Sequence, residues 1–326
     1  MNRLWYDRTV LLGLVLAGLS CSDASRTSVA TSEKAGPDTT ATTDKSSTAT
    51  ASTLTEAGVI AVLEKLGAKI QRDEKQPGSP VVDVDLLYKP VTDATLADVA
   101  VLKQLKRLDL SETPVTDAGL KALAVLNHLE TLNLTNTKIT DGGLKDVAAL
   151  KQLLKLDLSG TPVTNTGMKE LTTLQQLQTL NLTGTQVSDG GLKDVAALKQ
   201  LQRLDLKETK ITGTGLKELA NLMQLRELNL GFTPIADNDL KELASLQSLR
   251  ELDLENTKVQ DAGVKELTAL RGLQWLNLSG TAVTDAGSKD LAELEELKWL
   301  NLGRTAVTED GVKELQTELP MCEICR

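Results

Sequence analysis

The chain has 326 residues, 40% of them hydrophobic and only 2% aromatic, so its core must be built largely from aliphatic side chains. The formal net charge of −9 argues against nucleic acid as a partner, because phosphate backbones are bound by clustered lysine and arginine. The length alone would allow two or three ordinary domains, but repeat folds do not follow that rule.

Residues 1–21 have the features of an export signal. Two arginines flank the start of the segment, and the apolar run TVLLGLVLAGL then leads to Ser20 and Cys21. This run is too short to cross a bilayer, which takes roughly 20 apolar residues. The sequence therefore predicts export rather than a membrane-spanning helix.

The end of this segment resembles a bacterial lipoprotein signal, in which the cysteine, here Cys21, is lipidated and becomes the N-terminus. That family usually has leucine three positions before the cysteine, whereas this chain has Gly18. Small residues at Gly18 and Ser20 also fit ordinary signal cleavage. Lipid anchoring at Cys21, secretion without a lipid and a retained anchor are therefore three alternatives.

Residues 22–53 are rich in serine, threonine and alanine, and Val29 is their only apolar residue larger than alanine or proline. Such a segment buries too little surface to offset the entropy lost on ordering, so we predict that it is disordered. It is interpreted as a tether that holds the folded part away from a membrane or wall, or as the remnant of a processed leader. Folding is expected to begin near Leu54.

An N-terminal cap is predicted at residues 54–80. The stretch LTEAGVIAVLEKLGAKIQRD, residues 54–73, has the apolar spacing of a helix and then a short strand centred on Ile70. A cap is needed because the first unit of a repeat array otherwise exposes its core.

From residue 81 onward the pattern L-x-x-L-x-L recurs with a period of 24 residues. Nine in-phase copies run from Leu105 to Leu302, with one match before them and a truncated one after them. In each copy the leucines of a short strand are expected to point inward, and a turn and short helix follow, as in TPVTDAGLK, residues 113–121. One strand and one helix per repeat predict a solenoid with parallel strands.

This pattern resembles the leucine-rich repeat family over roughly residues 80–326. The TxVTDAGL part is similar to the cysteine-containing subtype of F-box proteins, with threonine in place of cysteine, and to the ribonuclease-inhibitor-like subtype. The resemblance implies an α/β horseshoe solenoid over residues 81–326, with a concave parallel β-sheet and short convex helices.

A C-terminal cap is predicted near residues 313–326. The strand pattern would turn Met321 and Ile324 toward the core. Cys322 and Cys325 are interpreted as cap residues, because one C-x-x-C pair supplies only two of the four ligands that zinc requires. A terminal disulfide between them is the alternative.

Two tryptophans stand at the same position of neighbouring repeats. Trp275 and Trp299 are each followed by Leu-Asn-Leu, and they are expected side by side on the concave face at the strand spacing of about 4.8 Å. Exposed aromatic residues often anchor interfaces, although these two could instead shield the C-terminal end of the core. The predicted ligand-binding residues are Trp275, Trp299, Glu227, Glu251, Glu255 and Arg304.

The next column on the same face alternates aspartate and asparagine from Asp109 to Asn277 and is expected to point outward. Alternation separates the carboxylates and places an amide donor between two groups that only accept hydrogen bonds. The column is interpreted as a structural ladder, with a calcium-binding row as the alternative. A row of threonines that begins at Thr113 is expected to bond the backbone at the turns.

The sequence offers little for catalysis. The single histidine, His128, precedes a strand and has no nucleophile in register with it, and Glu227 and Glu251 have no closed pocket around them. The chain is therefore predicted to be non-catalytic, without a cofactor or metal. An F-box type of adaptor is disfavoured by the export signal.

Two functions of different class remain. In the first, an exported protein, secreted or lipid-anchored in the cell envelope, binds a protein or a cell-surface polymer through its concave face. In the second, a structural protein organises the envelope by self-association. Membrane contact is expected only through a lipid at Cys21.

Overall fold

The computed structural model describes residues 54–326, so the predictions for Cys21 and for residues 1–53 lie outside the described part of the chain. Twelve strands form one sheet in which neighbours in the chain are neighbours in space. The strands are β1 (Lys69–Arg72), β2 (Val81–Asp85), β3 (Arg107–Asp109), β4 (Thr131–Asn133), β5 (Lys155–Asp157), β6 (Thr179–Asn181), β7 (Arg203–Asp205), β8 (Glu227–Asn229), β9 (Glu251–Asp253), β10 (Trp275–Asn277), β11 (Trp299–Asn301) and β12 (Glu323–Cys325). All pairs are parallel except β1 with β2.

Short helices alternate with the parallel strands. They are α1 (Glu56–Lys65), α2 (Asp93–Val99), α3 (Asp117–Leu123), α4 (Asp141–Val147), α5 (Asn165–Leu171), α6 (Asp189–Val195), α7 (Gly213–Leu216), α8 (Asp261–Leu267), α9 (Asp285–Asp290) and α10 (Glu309–Glu318). In the described residues, three stretches are 3-10 helices, at Lys217–Asn221, Asp237–Leu243 and Leu291–Glu293. Within residues 54–326, none of the helices is long and apolar enough to cross a membrane. The alternation confirms the predicted α/β solenoid.

The core is a continuous stack of aliphatic side chains between the sheet and the helices. Leu108 and Leu110 of one repeat are both fully buried, as are Leu132 and Leu134 of the next at 1% and 0% exposure. Burial of one such leucine contributes roughly 1.5–3 kcal/mol. Because each repeat packs mainly against its neighbours, this contribution recurs along the solenoid.

The N-terminal end of the stack is covered by α1 and β1. The Thr55 hydroxyl accepts a hydrogen bond from the backbone N–H of Gly58 and caps α1, whose Val59 and Leu63 are fully buried. Strand β1 then pairs antiparallel with β2, with Ile70 opposite Val84. The helix and the Ile70-centred strand are the elements that the sequence predicted here.

The C-terminal end corrects one prediction. Met321 is 89% exposed rather than turned inward, and Cys322 is buried at 4% exposure in its place. The backbone N–H of Cys322 bonds the Leu319 carbonyl, which closes a tight turn with Met321 near its tip. Ile324 does pack against the core, as predicted.

Cys322 is a free thiol, so the alternative of a disulfide between it and Cys325 does not hold. Burial, together with the nearby charge of Glu323, raises the pKa of Cys322 to about 11. A thiol with such a pKa stays protonated and unreactive near neutral pH, which agrees with a cap residue.

A second polar ladder, which the sequence did not predict, links the helices. Asp93 accepts hydrogen bonds from Thr116 of the next repeat, at 2.9 Å from its N–H and 2.6 Å from its hydroxyl. Gly119 makes room for this carboxylate, since an added Cβ there would lie 2.6 Å from Asp93 Oδ1. The same two hydrogen bonds are donated by Thr140 to Asp117 and by Thr284 to Asp261.

One junction of this ladder is rearranged. Gly213 stands where other repeats have aspartate, and Asp239 stands where they have glycine. The Asp239 carboxylate occupies the space of the missing side chain and accepts the N–H of Ala236 at 2.9 Å from within its own repeat. The two departures therefore compensate each other, and the adjacent helices are 3-10 in form.

We expect G213D and D239G to be strongly coupled. G213D alone forces two carboxylates into one space, and D239G alone removes the acceptor of the Ala236 N–H, which costs about 1 kcal/mol. The double variant restores the usual cross-repeat acceptor, so it should be more stable than the sum of the single effects by at least about 1 kcal/mol. Urea unfolding of all four proteins measures this coupling; additivity within about 0.5 kcal/mol would contradict the compensation.

Candidate functional site

The floor of the concave face is the column of alternating aspartate and asparagine. In every repeat from Asp85 to Asn301, the Oδ1 atom accepts the backbone N–H two residues further on, at 2.9–3.0 Å. The asparagine amides also donate to the preceding aspartates, for example from Asn181 to Asp157 Oδ2 at 3.0 Å. The ladder that the sequence predicted is confirmed. Because asparagine alternates with aspartate, the Oδ2 atom of an aspartate accepts a hydrogen bond from the asparagine amide of the next strand.

This column does not point freely into solvent, contrary to the expectation. Asp109 and Asn181 are each only 5% exposed, because the turn that follows each strand folds back over the column. The threonine row closes the same turns, as predicted: Thr113 Oγ1 donates to the Leu110 carbonyl at 2.6 Å. Burial raises the pKa of Asp157, whereas its hydrogen bonds from Ser159 oppose this increase.

The two tryptophans lie on adjacent strands β10 and β11, where Trp275 pairs in register with Trp299. Their ring centroids are 4.5 Å apart and the ring planes differ by 3°, which confirms the predicted stack. Glu251 pairs with Trp275 on one side, and Glu323 pairs with Trp299 on the other. The stack is half-buried and carries a carboxylate-bearing strand at each end.

Glu255 and Arg304 meet at the edge of this face, where the strands end. Arg304 Nη2 lies 2.7 Å from Glu255 Oε1, although the two residues are two repeats apart. The guanidinium reaches across the intervening repeat because Gly280, at the position of Arg304 in that repeat, has no side chain. It lies 3.4 Å from Ser279 Oγ. These two predicted site residues are therefore joined by an ion pair.

Two residues of this cluster were not anticipated from the sequence. The ammonium group of Lys207 lies 3.9 Å from Glu255 Oε2 and 4.7 Å from the centroid of the Phe232 ring. Gly231 stands between Lys207 and Glu255 in their column, and its lack of a side chain lets the lysine reach across. Phe232 is 44% exposed, and its φ of +58° is unfavourable for a bulky side chain. The only sequence signal was an aromatic residue at a turn position where several repeats have glycine or asparagine.

Glu227 does not belong to the cluster of Lys207, Glu255 and Arg304, and it forms an ion pair with another residue. Arg203 Nε lies 2.6 Å from Glu227 Oε1, and Glu227 pairs in register with Glu251 of the next strand. The six predicted residues thus form three groups on one face: the indole stack with Glu251, the pair of Glu255 and Arg304, and Glu227 with Arg203.

Asp253 lies in the floor beside these groups. Burial is the main cause that raises the pKa of Asp253 to about 6, and the charge of Glu255 adds to the increase. The N–H of Glu255, the amide of Asn277 and the charge of Lys207 act in the opposite direction. The candidate site therefore contains a carboxyl group that titrates well above the usual range for aspartate.

The depressions in the described residues include two that lie away from the tryptophans. One of about 110 Å³ is lined by Pro80, Val81 and Leu102, and one of about 510 Å³ lies between α9 and α10 beside Ser288 and Leu315. Neither contains a predicted ligand residue. The concave face is a long, open surface. Such a surface suits a large partner better than a small molecule, which is usually bound in an enclosed cleft or cavity.

Comparison with known protein families gives a match to the Leucine Rich repeat model at residues 103–124, 125–148, 151–171, 173–196, 199–220 and 245–267. Comparison with curated proteins gives no significant match.

Solved structures share the fold. A leucine-rich repeat protein of Leptospira interrogans is 27% identical with a TM-score of 0.53, over 70% of this chain and 62% of that one. The chain thus spans less than two thirds of the length of that relative. Internalin C2 of Listeria monocytogenes is 28% identical with a TM-score of 0.52, over 78% and 93% of the two chains. A chain of the mouse RP105/MD-1 complex is 23% identical with a TM-score of 0.56, over 70% and 39%, which shows a likeness of fold alone.

We expect Asp253 to make the stability of the protein depend on pH. Because its pKa is about 6 in the folded chain against 3.8 for an ordinary aspartate, the folded state holds this proton more tightly between those values. Its contribution to the free energy of unfolding therefore falls as pH rises from about 4 to 7, by up to about 3 kcal/mol. D253N removes this titration and also the acceptor of the Asn277 amide, so the midpoint of D253N relative to the parent should be higher at pH 7 than at pH 4. A difference that is the same at both pH values would contradict this assignment.

Proposed function

The chain belongs to the leucine-rich repeat family, and from that premise we propose that it is an exported, non-catalytic binding protein. Its concave face binds a protein or a cell-surface ligand, and Trp275 and Trp299 are the anchors. Glu251, Glu255 and Arg304 form the polar rim, and Glu227 with Arg203 borders it.

The observation that carries this proposal is the indole stack itself. The column that contains Trp275 and Trp299 has threonine at Thr131 and Thr179 in repeats of the same shape, so the fold does not require an aromatic residue there. The core lies on the other side of the sheet, where Leu276 and Leu300 are fully buried. Aromatic residues on a half-exposed face contribute large contact areas at low entropic cost, which is typical of interface anchors.

The ion-paired cluster supports the same proposal. Lys207, Glu255 and Arg304 hold one another across two glycine positions, so the rim is ordered before a partner arrives. Preorganised polar groups lose less freedom on binding than mobile ones. Phe232 extends the apolar surface at this edge.

The likeness to solved structures supports a protein partner. The mouse RP105 chain is found in a complex with MD-1, and it shares the solenoid fold. Binding of a protein by a solenoid is thus compatible with this architecture. The proposal for this chain rests on its own concave face.

Export follows from the signal-like residues 1–21, with lipidation of Cys21 or free secretion as its two main forms. The self-association alternative predicts regular faces that repeat along the solenoid. The column of Trp275 instead changes from basic through acidic to aromatic residues, which favours a distinct ligand.

We expect the two tryptophans to affect binding of the partner much more than stability of the fold. W275S/W299S removes the anchors but no core residue, so the thermal midpoint should fall by no more than about 2–4 °C while partner binding weakens by about 2 kcal/mol or more. The partner is first captured from envelope extract on the full chain, identified by mass spectrometry, and then titrated in purified form by calorimetry.

T131S/K155T is the matched control, because it changes two residues of the same column that are not buried and lie outside the proposed site. It should alter neither the midpoint nor the affinity. If W275S/W299S instead unfolds far earlier and binds the purified partner as well as the parent chain does, the tryptophans shield the core and the proposed site is wrong.

A further inference from the structure

Four residues in register form an acid–indole row across the C-terminal half of the face: Glu251, Trp275, Trp299 and Glu323. Building on the proposed function, we propose that this row binds an extended segment of a protein partner that carries two basic side chains about four residues apart.

The geometry of the stack sets which surfaces the partner meets. The ring planes of Trp275 and Trp299 are parallel and their centroids are 4.5 Å apart, close to the spacing of the strands that carry them. The inner faces therefore cover each other. The outer face of Trp275 is directed toward the strand of Glu251, and the outer face of Trp299 toward that of Glu323.

An indole face beside a carboxylate is a suitable environment for a cation. The electron-rich face attracts an ammonium or guanidinium group, and the carboxylate adds a charge-assisted hydrogen bond. Arginine fits best, because its planar group can stack on the ring while its edge donates to the acid. The row offers this combination twice, once at each end.

The charge pattern of the column directs a basic segment to this half of the face. The N-terminal half carries Arg107, Lys155 and Arg203, whereas the C-terminal half carries Glu227, Glu251 and Glu323. The formal net charge of −9 further favours a basic partner over an acidic one.

The strand spacing fixes the spacing of the basic groups. Strands β9 and β12 are three strand intervals apart, which corresponds to about 14 Å at about 4.8 Å each. An extended chain advances about 3.3–3.6 Å per residue, so basic residues at positions i and i+4 match the two ends. The residues between them lie over the indole edges.

The tryptophans provide their own reporter. The chain has three, so in the W5F variant of the full chain all tryptophan emission comes from Trp275 and Trp299. The probe is the acetylated and amidated peptide Arg-Gly-Leu-Gly-Arg, titrated at low salt. Two peptides serve as controls: Arg-Arg-Gly-Leu-Gly, with the same composition, and Glu-Gly-Leu-Gly-Glu.

We expect the spaced arginine peptide to shift the emission and to bind at least about fivefold more tightly than the peptide with adjacent arginines. The glutamate peptide should give no saturable change. Adding E251Q/E323Q should weaken binding of the spaced peptide by at least about fivefold. K155T, a change in the same column outside the row, should leave the affinity unchanged.

Equal affinities for the two arginine peptides, or an affinity that E251Q/E323Q does not change, would overturn the assignment of a spaced basic segment. Tighter binding of the glutamate peptide would overturn it as well. If the peptide fails but W275S/W299S still abolishes binding of the captured partner, the concave site stands and only the basic character of the partner is wrong.

Discussion

Parallel pairing of one three-residue strand per repeat is the constraint from which the rest of this structure follows. It places each strand residue about 4.8 Å from the residue at the same position of the next repeat. The side chain at one strand position is therefore always next to the side chains at that position in the neighbouring repeats. Like charges in such a column repel, which explains why Asp157 has Asn181 as its neighbour and receives a hydrogen bond from it. Two large rings in such a column must stack, as Trp275 and Trp299 do. The regular floor and the unusual patch on it are consequences of the same spacing.

The hydrogen bonds of the two polar ladders show which residues the fold requires. The aspartate and asparagine column is hydrogen-bonded in each repeat and buried or half-buried, and the helix-side carboxylates accept hydrogen bonds from the next repeat, so both serve folding. The column of Trp275 and Trp299 is different, because other repeats have threonine, lysine, arginine or glutamate at the same position. Phe232 and Arg304 stand at a turn position that has positive φ in several repeats, +58° and +57° here and +58° at Glu112, so the backbone conformation does not set them apart. Their contacts do, since Arg304 pairs with Glu255 and Phe232 lies beside Lys207 in the same cluster.

Much of this was accessible from the sequence because the 24-residue period turns residue positions into columns. The solenoid, the buried leucines, the polar ladder and the indole stack all follow from that register and the strand geometry. Contacts outside the strands were not accessible. The hydrogen bond that Thr140 donates to Asp117 depends on how adjacent helices pack. The contact of Lys207 with Glu255 depends on the space that Gly231 leaves between them. Met321 was misplaced because the strict 24-residue period was extended past α10, where the turn that ends at Leu297 in the preceding repeat falls one residue later and ends at Cys322.

Strand register holds the two indoles together, and we expect the chain to fold without them. A double-mutant cycle of W275T and W299T on the full chain tests this, because each single variant already loses the contact between the rings and the double variant loses nothing more from it. We expect urea unfolding of the four proteins to give a coupling of about 0.5–1.5 kcal/mol between the two substitutions. We also expect each single variant to unfold within about 2–4 °C of the parent, which corresponds to a loss near 1 kcal/mol. Additive effects of the two substitutions, or a much larger fall in the unfolding midpoint of either variant, would show that the stack is not formed or that folding depends on it.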